Sequence, residues 1–443
     1  MRLKQLLPLI AFFAWSTVTL AQEFAHTPSP WPRIRKERIR TLLPDAMKRA
    51  QADAWIVICR ENNNDPLAIH VGGENAGGTA AFLFFNINGS IRSIAISPMG
   101  ESTALKEIGL HDTVIVIPRG TNVWQTMVQQ LGLYQPRTIA VNSSSRAIAD
   151  GLSFTQRTQM EKELGLEWSQ RLISSEEVVI GWLSVKLSAE IEIMTRAAKL
   201  TNQLEIEAYN AVIPEKTTDA DVARFIKKRM KELGVEDGWA PDQNPSVNSG
   251  PDRGHSHSTD KVIQPGDVIQ MDFGIKVYGI WCSDIQRFAY VLKKGETTAP
   301  PEIQKYWEIA KTGHRKVLHA LRPGIRGYDA DKVQRLWLKE NQSLPIMWGT
   351  GHPVGYWAHD LGPALSGGQS DRPPTGDAAR VLRVNQLFAY DGFYCWPVEY
   401  KGEKTTKTIS VEEMAVINEE GACYLIEPQD ELILIPNKKT SKK

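Results

Sequence analysis

The chain has 443 residues, with 52 basic against 51 acidic side chains and a net charge of +1 at neutral pH. Nucleic acids and other polyanions are bound by a basic excess or stripe, which this balance lacks, so no nucleic-acid partner is expected. Hydrophobic residues at 42% and charged residues at 23% fit an ordinary globular protein, and the length is too great for one core, so two domains are expected.

In chain order, the first element reads as a targeting segment. Arg2 and Lys4 form a positive start, residues 6–20 are almost wholly apolar, and Thr19 and Ala21 fit the small-residue pattern of a cleavage site. Residues 1–21 are therefore expected to be a signal peptide, removed to leave Gln22 first. The apolar run is short for a membrane span. The mature protein is expected outside the cytoplasm, periplasmic or secreted, with no membrane attachment after cleavage.

Residues 22–185 read as an α/β domain. A basic helix over 33–52 leads into a strand over 54–59, and further strands are expected at 79–85, 91–96, 112–118 and 138–142. Helical patterns near 121–132 and 154–164 separate several of them, as in a mixed sheet covered by helices. This half has no clustered His, Cys or carboxylates and no phosphate-type glycine loop, so a supporting role is expected.

The pattern changes from residue 186, where a second domain is expected to run to 443. Leu187, Ile191, Met194, Ala198, Leu204, Ala208 and Val212 mark a long amphipathic helix, with Ser188 as its N-cap. A second helix over 218–233 stops at Gly234. A polar, turn-rich segment (242–260) precedes paired strands over 267–277 and 281–291. Helices follow at 302–321 and 328–340, with His314 and His319 read as surface residues of the first. The Pro/Gly-rich stretch 361–376 is a candidate lid. Cys59, Cys282, Cys395 and Cys423 lack the CxxC spacing of a zinc site. Buried thiols and a disulfide are both open, Cys282–Cys395 among the pairings.

Four carboxylates and one imidazole stand out in this second half. Asp272 and Asp391 each close an apolar strand before a residue pair containing Gly. Asp284 lies twelve residues after Asp272 on the returning strand, and Glu412 interrupts the apolar run around 409–417. Pairing of Asp272 with Asp284 in a hairpin would bring two carboxylates together, which repel unless a cation lies between them. His352 sits among glycines in the run Gly349-Thr-Gly-His-Pro-Val-Gly, where backbone and ligand can approach closely. Buried carboxylates are rare without a partner, and a metal centre accounts for all five residues at once.

The order Asp, Asp, His, acidic, Glu, each in its own local motif, resembles the pita-bread metallopeptidases. That family includes methionine aminopeptidase, aminopeptidase P, prolidase and the non-peptidase creatinase. The resemblance implies an α/β (α+β) protein with a creatinase-like N-terminal domain and a C-terminal pita-bread catalytic domain. It implies that Asp272, Asp284, His352, Asp391 and Glu412 hold two divalent metal ions, with Asp284 and Glu412 bridging. It also implies that His255 stabilises the reacting carbonyl oxygen, that His359 contacts substrate and that Asp391 accepts the proton of the attacking water. The oxygen-rich donor set suits Mn²⁺ foremost, with Zn²⁺, Co²⁺ or Fe²⁺ as alternatives. Two ions about 3.5–4 Å apart acidify a shared water and polarise a carbonyl. The expected substrate is a small peptide cleaved at an X-Pro bond. A metal-dependent hydrolase or lyase of a small metabolite is the alternative, and a ligand-less binding module is disfavoured because all five positions are competent. A homo-oligomer, most simply a dimer, is implied by the resemblance alone.

Four features depart from the family pattern. Asp391 replaces the usual Glu, and the Asp272–Asp284 interval is one residue longer, which a β-bulge could absorb. Ser410 stands where proline-directed members carry Arg, and Trp348 where aminopeptidase P has another His.

Overall fold

The computed structural model describes residues 24–254 and 256–437. The expected signal peptide (1–21) and His255 lie outside the described residues. The described chain divides into two compact units, one spanning Pro30–Val185 and the other comprising Lys186 onward with the segment before Pro30.

The Pro30–Val185 unit is built on six strands: β1 (Ala54–Cys59), β2 (Ala80–Ile87), β3 (Ser90–Pro98), β4 (Thr113–Ile117), β5 (Ile139–Val141) and β6 (Leu172–Ser174). Their order is β4-β3-β2-β1-β5-β6. The β1–β2 and β2–β3 pairs are antiparallel, and the β1–β5, β3–β4 and β5–β6 pairs are parallel. Central β1 is buried along its whole length, which explains its unbroken apolar run. Ile56, Leu83, Ile96, Met127 and Trp168 share one core. The expected basic helix is two helices, Trp31–Thr41 and Leu43–Arg49, because Pro44 cannot donate into a continuous helix. Arg38 of the first is fully buried and donates to the carbonyls of Trp182 (2.6 Å) and Val185 (2.9 Å). It thereby caps the C-terminal end of helix Glu176–Leu183.

The second unit opens with α1 (Ser188–Asn210) and α2 (Asp219–Leu233). Ser188 is the first helical residue rather than the cap, and Glu190 Oε2 reaches back to accept the Leu187 amide at 2.9 Å. Helix α2 has Thr218 and Asp221 in a reciprocal cap and stops at Gly234, whose φ is 64°. Strands β7 (Glu236–Asp237), β8 (Ser246–Ser249), β9 (Val268–Phe273), β10 (Ile275–Val277), β11 (Trp281–Cys282) and β12 (Ile285–Val291) follow. Next come α3 (Pro301–Ala320), α4 (Gly327–Glu340), β13 (Gly351–Pro353), β14 (Leu387–Tyr400) and β15 (Glu403–Ile417). Strands β7, β10 and β11 form a small sheet. The main sheet, eight-stranded among the described residues, runs β13-β14-β15-β12-β9-β8 along its path. Helices α3 and α4 pack on β14, and α1 packs on β11 and β12. No helix among the described residues is long and apolar enough to cross a membrane.

Two expectations about this unit are corrected. His314 is 3% exposed, not a surface residue, with its ring nitrogens 2.8 Å from Tyr424 Oη and 3.0 Å from the Tyr390 carbonyl oxygen. Burial pushes its pKa down to about 3. Strand β14 does not end at Asp391-Gly392 but continues to Tyr400. Gly392 is there because a side chain would collide with α3, its Cβ lying 2.3 Å from the Ala310 carbonyl oxygen.

Candidate metal centre

The main sheet places four of the singled-out side chains by register. Asp391 lies opposite Glu412, Glu412 opposite Gln286, and Gln286 opposite Asp272. Directly opposed residues point to the same face of a sheet, so Asp391, Glu412, Gln286 and Asp272 make one row across β14, β15, β12 and β9. Asp272 pairs with Gln286, not with Asp284 as expected. The register continues unbroken, with Phe273 opposite Ile285 and Lys276 opposite Cys282, so no bulge absorbs the longer interval. The hairpin instead closes through Tyr278 and Gly279, both at positive φ (55° and 65°). Asp284 therefore lies diagonal to Asp272, two residues from Gln286 on the same face.

His352 comes from the sheet edge. It pairs with Ala389, two residues before Asp391. The preceding glycine is required because a Cβ at Gly351 would meet the Ala389 carbonyl oxygen at 2.5 Å. His352 Nε2 is 3.7 Å from both Asp284 Oδ2 and Glu412 Oε1. One ligand atom from each of Asp284, His352 and Glu412 falls within a 4.8 Å cluster. These gaps exceed a hydrogen bond and suit three donors around one divalent ion. His352 Nδ1 lies 3.1 Å from the Pro353 carbonyl oxygen. That contact fixes the proton on Nδ1 and leaves the Nε2 lone pair facing the carboxylates.

Electrostatics point the same way. Asp272, Asp284, Asp391 and Glu412 are 7%, 4%, 6% and 3% exposed. Burial, and then the charges of Glu412 and Asp272, hold the Asp284 and Asp391 carboxyls well above the usual range. Carboxylates crowded in this way need a cation to ionise together. The residues present thus fit a divalent metal ion.

The surrounding structure fixes these side chains. Asp331 on α4 is fully buried and accepts the Thr350 amide (3.1 Å), the Thr350 hydroxyl (2.5 Å) and the Gly368 amide (2.6 Å). Thr350 passes the restraint on, because its carbonyl accepts the Asp391 amide at 2.7 Å. The 361–376 stretch is tied down by the Gly368 contact and by Tyr328 Oη donating to the Ser370 carbonyl at 2.7 Å. On the other strand pair, Arg287 and Glu413 form a buried two-pronged ion pair with contacts of 2.8 and 3.0 Å.

His359 is exposed, and its ring centroid lies 4.0 Å from that of His352. Its loop is braced by the buried Lys186–Asp360 ion pair (3.1 Å), just ahead of α1, and from α1 itself by Tyr356 Oη donating to Glu190 Oε1 at 2.6 Å. The four cysteines are free thiols, so no Cys282–Cys395 bridge exists. Cys282 is buried with its Sγ 3.5 Å from the carbonyl oxygens of Gly238 and Tyr356. Tyr394 and Trp396 pack in a core cluster against α3.

One site residue was missed in the sequence. Gln286 sits inside the carboxylate row, 4% exposed. It donates to Glu412 Oε2 at 2.9 Å and to Asp391 Oδ1 at 3.4 Å. A polar residue two after Asp284 was the available signal, but alternation alone cannot tell a site residue from a solvated one.

Comparison with known proteins follows the same outline. The model of metallopeptidase family M24 matches residues 192–419, just over half of the 443 residues. An uncharacterized peptidase, YqhT, of Bacillus subtilis (strain 168) is 25% identical over 183 residues, 41% of this chain and 49% of that protein. The chain thus matches about half the length of this curated relative. Among solved structures, an X-Pro aminopeptidase from Thermotoga maritima MSB8 superposes with a TM-score of 0.65 at 20% identity, over 88% of this chain and 100% of the other. Dipeptidase PepE from Mycobacterium ulcerans gives a TM-score of 0.66 at 18% identity, over 91% and 99%. The prolidase from Pyrococcus horikoshii OT3 gives 0.62 at 18% identity, over 90% and 100%. At these identities the structures share the fold.

Proposed function

Because the chain belongs to metallopeptidase family M24, we propose that it is a metal-dependent exopeptidase that releases the first residue of small peptides at X-Pro bonds. The observation that carries this reading is the convergence of Asp284, His352 and Glu412 on one cluster of ligand atoms. These three hold a first divalent ion, Mn²⁺ foremost. Asp272 and Asp391, in the same face of the sheet, extend the donor set toward a second. When bound, such ions supply a Lewis acid that polarises a carbonyl and acidifies water. The X-Pro preference is supported by the proteins that share this fold, an X-Pro aminopeptidase, an Xaa-Pro dipeptidase and a prolidase among them.

The chain's own groups divide the remaining work. Asp391, its backbone held by Thr350 and its carboxylate by Gln286, accepts the proton of the attacking water. His359, on the braced loop beside His352, meets the substrate, and His255 is assigned to the carbonyl oxygen by the family resemblance. Ser410 is 2% exposed and donates its hydroxyl to Gln286 Oε1 at 2.8 Å. No cation stands where proline-directed relatives have Arg, which favours the small-metabolite hydrolase as the second reading.

The deciding experiment is a panel of X-Pro and X-Ala di- and tripeptides with Mn²⁺-loaded protein and an Asp284→Asn control. Proline-dependent release of the first residue, absent in the control, is expected. Full metal binding with no peptide cleaved would transfer the assignment to the small-metabolite reading. The leader expected over 1–21 places this activity in an exported compartment. Recovery of protein beginning at Met1 from the producing cell would remove that placement.

A further inference from the structure

Glu190 is fully buried in the first turn of α1 and is bonded at both carboxyl oxygens. Oε1 accepts from the indole nitrogen of Trp281 at 3.1 Å and from Tyr356 Oη at 2.6 Å. Oε2 accepts the Leu187 amide at 2.9 Å. An indole N–H and a backbone N–H can only donate, so the side chain must accept at both oxygens, which a carboxylate does and an amide does not.

The two donors to Oε1 come from different arms of the site. Trp281, also fully buried, lies on β11 three residues before Asp284. Tyr356, 3% exposed, lies in the loop between His352 and His359. Further contacts fasten the same loop. The Gly355 carbonyl accepts the Cys282 amide at 2.7 Å, and the Asp360 amide donates to the Pro353 carbonyl at 2.9 Å. Asp360 Oδ2 accepts the Tyr356 amide at 2.9 Å, and Lys186 Nζ, which pairs with that oxygen, lies 4.7 Å from the Tyr356 ring centroid. Position 355 has no room for a side chain, because a Cβ there would lie 2.1 Å from Asp360 Oδ2 and 2.6 Å from Lys186 Nζ. Residues 353–356 and 358 are buried and only His359 is exposed. Segments that open readily have few buried contacts and solvent-exposed backbone hydrogen bonds, and this loop has the opposite character.

We propose that Glu190 and Tyr356 act as one positioning unit for His359, holding its loop in the working position before substrate arrives. Neither touches substrate; both act through the loop. The assignment rests on the peptidase reading above, in which His359 meets the substrate.

The test is a double-mutant cycle on full-length, Mn²⁺-loaded protein with an X-Pro tripeptide. Tyr356→Phe removes only the phenol oxygen, and is expected to lower kcat/KM about 10–100-fold, the cost of a slight misplacement of a working group. In a His359→Ala background the same change is expected to cost less than about threefold, because the group it positions is gone. Glu190→Gln, which cannot accept at both ends, is expected to follow the same pattern. Calorimetric Mn²⁺ affinity is expected to be unchanged in Tyr356→Phe. Losses that add in the double variant, or a folded Tyr356→Phe protein with wild-type kinetics, would reduce the contact to a structural one and overturn the proposal. A Mn²⁺ affinity that falls in step with kcat/KM would route the effect through His352 and overturn it also. If the wild type cleaves no peptide, the peptidase reading fails, and hydrogen exchange decides on the loop by itself. The amides of 355–361 are expected to exchange about tenfold faster in Tyr356→Phe, and unchanged exchange would overturn the positioning role.

Discussion

Asp391 and Glu412 stand directly opposite each other on paired strands β14 and β15, 6% and 3% exposed. Their proximity and burial raise the Asp391 carboxyl, and the same row raises Asp284. Without metal the folded protein therefore keeps protons that the unfolded chain has released. A carboxyl raised in the folded state contributes its full stability below the ordinary carboxylate pKa of about 4, and loses it as pH rises toward the folded value. A bound cation replaces those protons and reverses the loss. The rise in melting temperature caused by Mn²⁺ over chelator is therefore expected to grow steadily from pH 5 to pH 8. Paired thermal melts across that range check it, and a metal increment independent of pH would contradict it.

Replacing His352 tests the donor set directly. Its side chain is 23% exposed and sits at the sheet edge, so His352→Ala is expected to fold. Changes to groups that merely support a ligand cost about 10–100-fold in metal affinity, and loss of the ligand itself is expected to cost at least the upper end of that range. Calorimetric titration of the first ion reads this. An affinity within threefold of wild type would remove the imidazole from the centre.

Asp331 links helix α4 to the strand that carries His352. It is fully buried, accepts from Thr350 and Gly368, and pairs with Arg335 at 3.1 Å with little exposure on either side. Removing one partner of such a pair leaves a buried charge uncompensated, at about 3–5 kcal/mol. Asp331→Ala is expected to lose stability on that scale in urea unfolding, and Asp331→Asn, which keeps an acceptor, to lose less. Equal losses in the two variants would show that the carboxylate charge, and not the acceptor oxygens alone, is what holds the segment.

Much of this was readable in the chain itself. The long α1 stripe, the helix after it with its Gly234 stop, and the strand at 54–59 follow from local patterns that the fold does not override. The carboxylates were visible because they close or interrupt strand-like runs, and His352 because it sits among glycines. Their pairing was not, because register across β15, β12 and β9 is set by strands distant in sequence. That is why Asp272 was expected to face Asp284 and why Gln286 escaped notice. His314 was a different kind of miss. It falls in the spacing Trp307, Ala310, His314, Val317, which is the buried stripe of α3, so periodicity held the signal and residue polarity obscured it.

Glu205 offers a last test, deep in the same unit. It lies on the buried side of α1, fully enclosed, and neither carboxyl oxygen has a hydrogen-bond partner among the described residues. Burial holds its carboxyl well above the usual range, with Arg287 opposing and the charges of Glu413, Asp272 and Glu412 adding. Arg287 does not relieve it, because that guanidinium is engaged by Glu413 and by Asn202 Oδ1 at 2.7 Å. A buried polar group without a partner costs about 1–3 kcal/mol, so Glu205→Met, similar in length and apolar, is expected to stabilise the protein by that amount at neutral pH. The folded pKa is raised, so the ionisation part of the cost is absent below the unfolded value of about 4.3 and appears as pH rises. The gain is therefore expected to be larger at pH 8 than at pH 5. Urea unfolding of the variant and wild type at both pH values measures it, and a destabilised variant at pH 8 would show that the Glu205 carboxylate is charged and needed by Arg287.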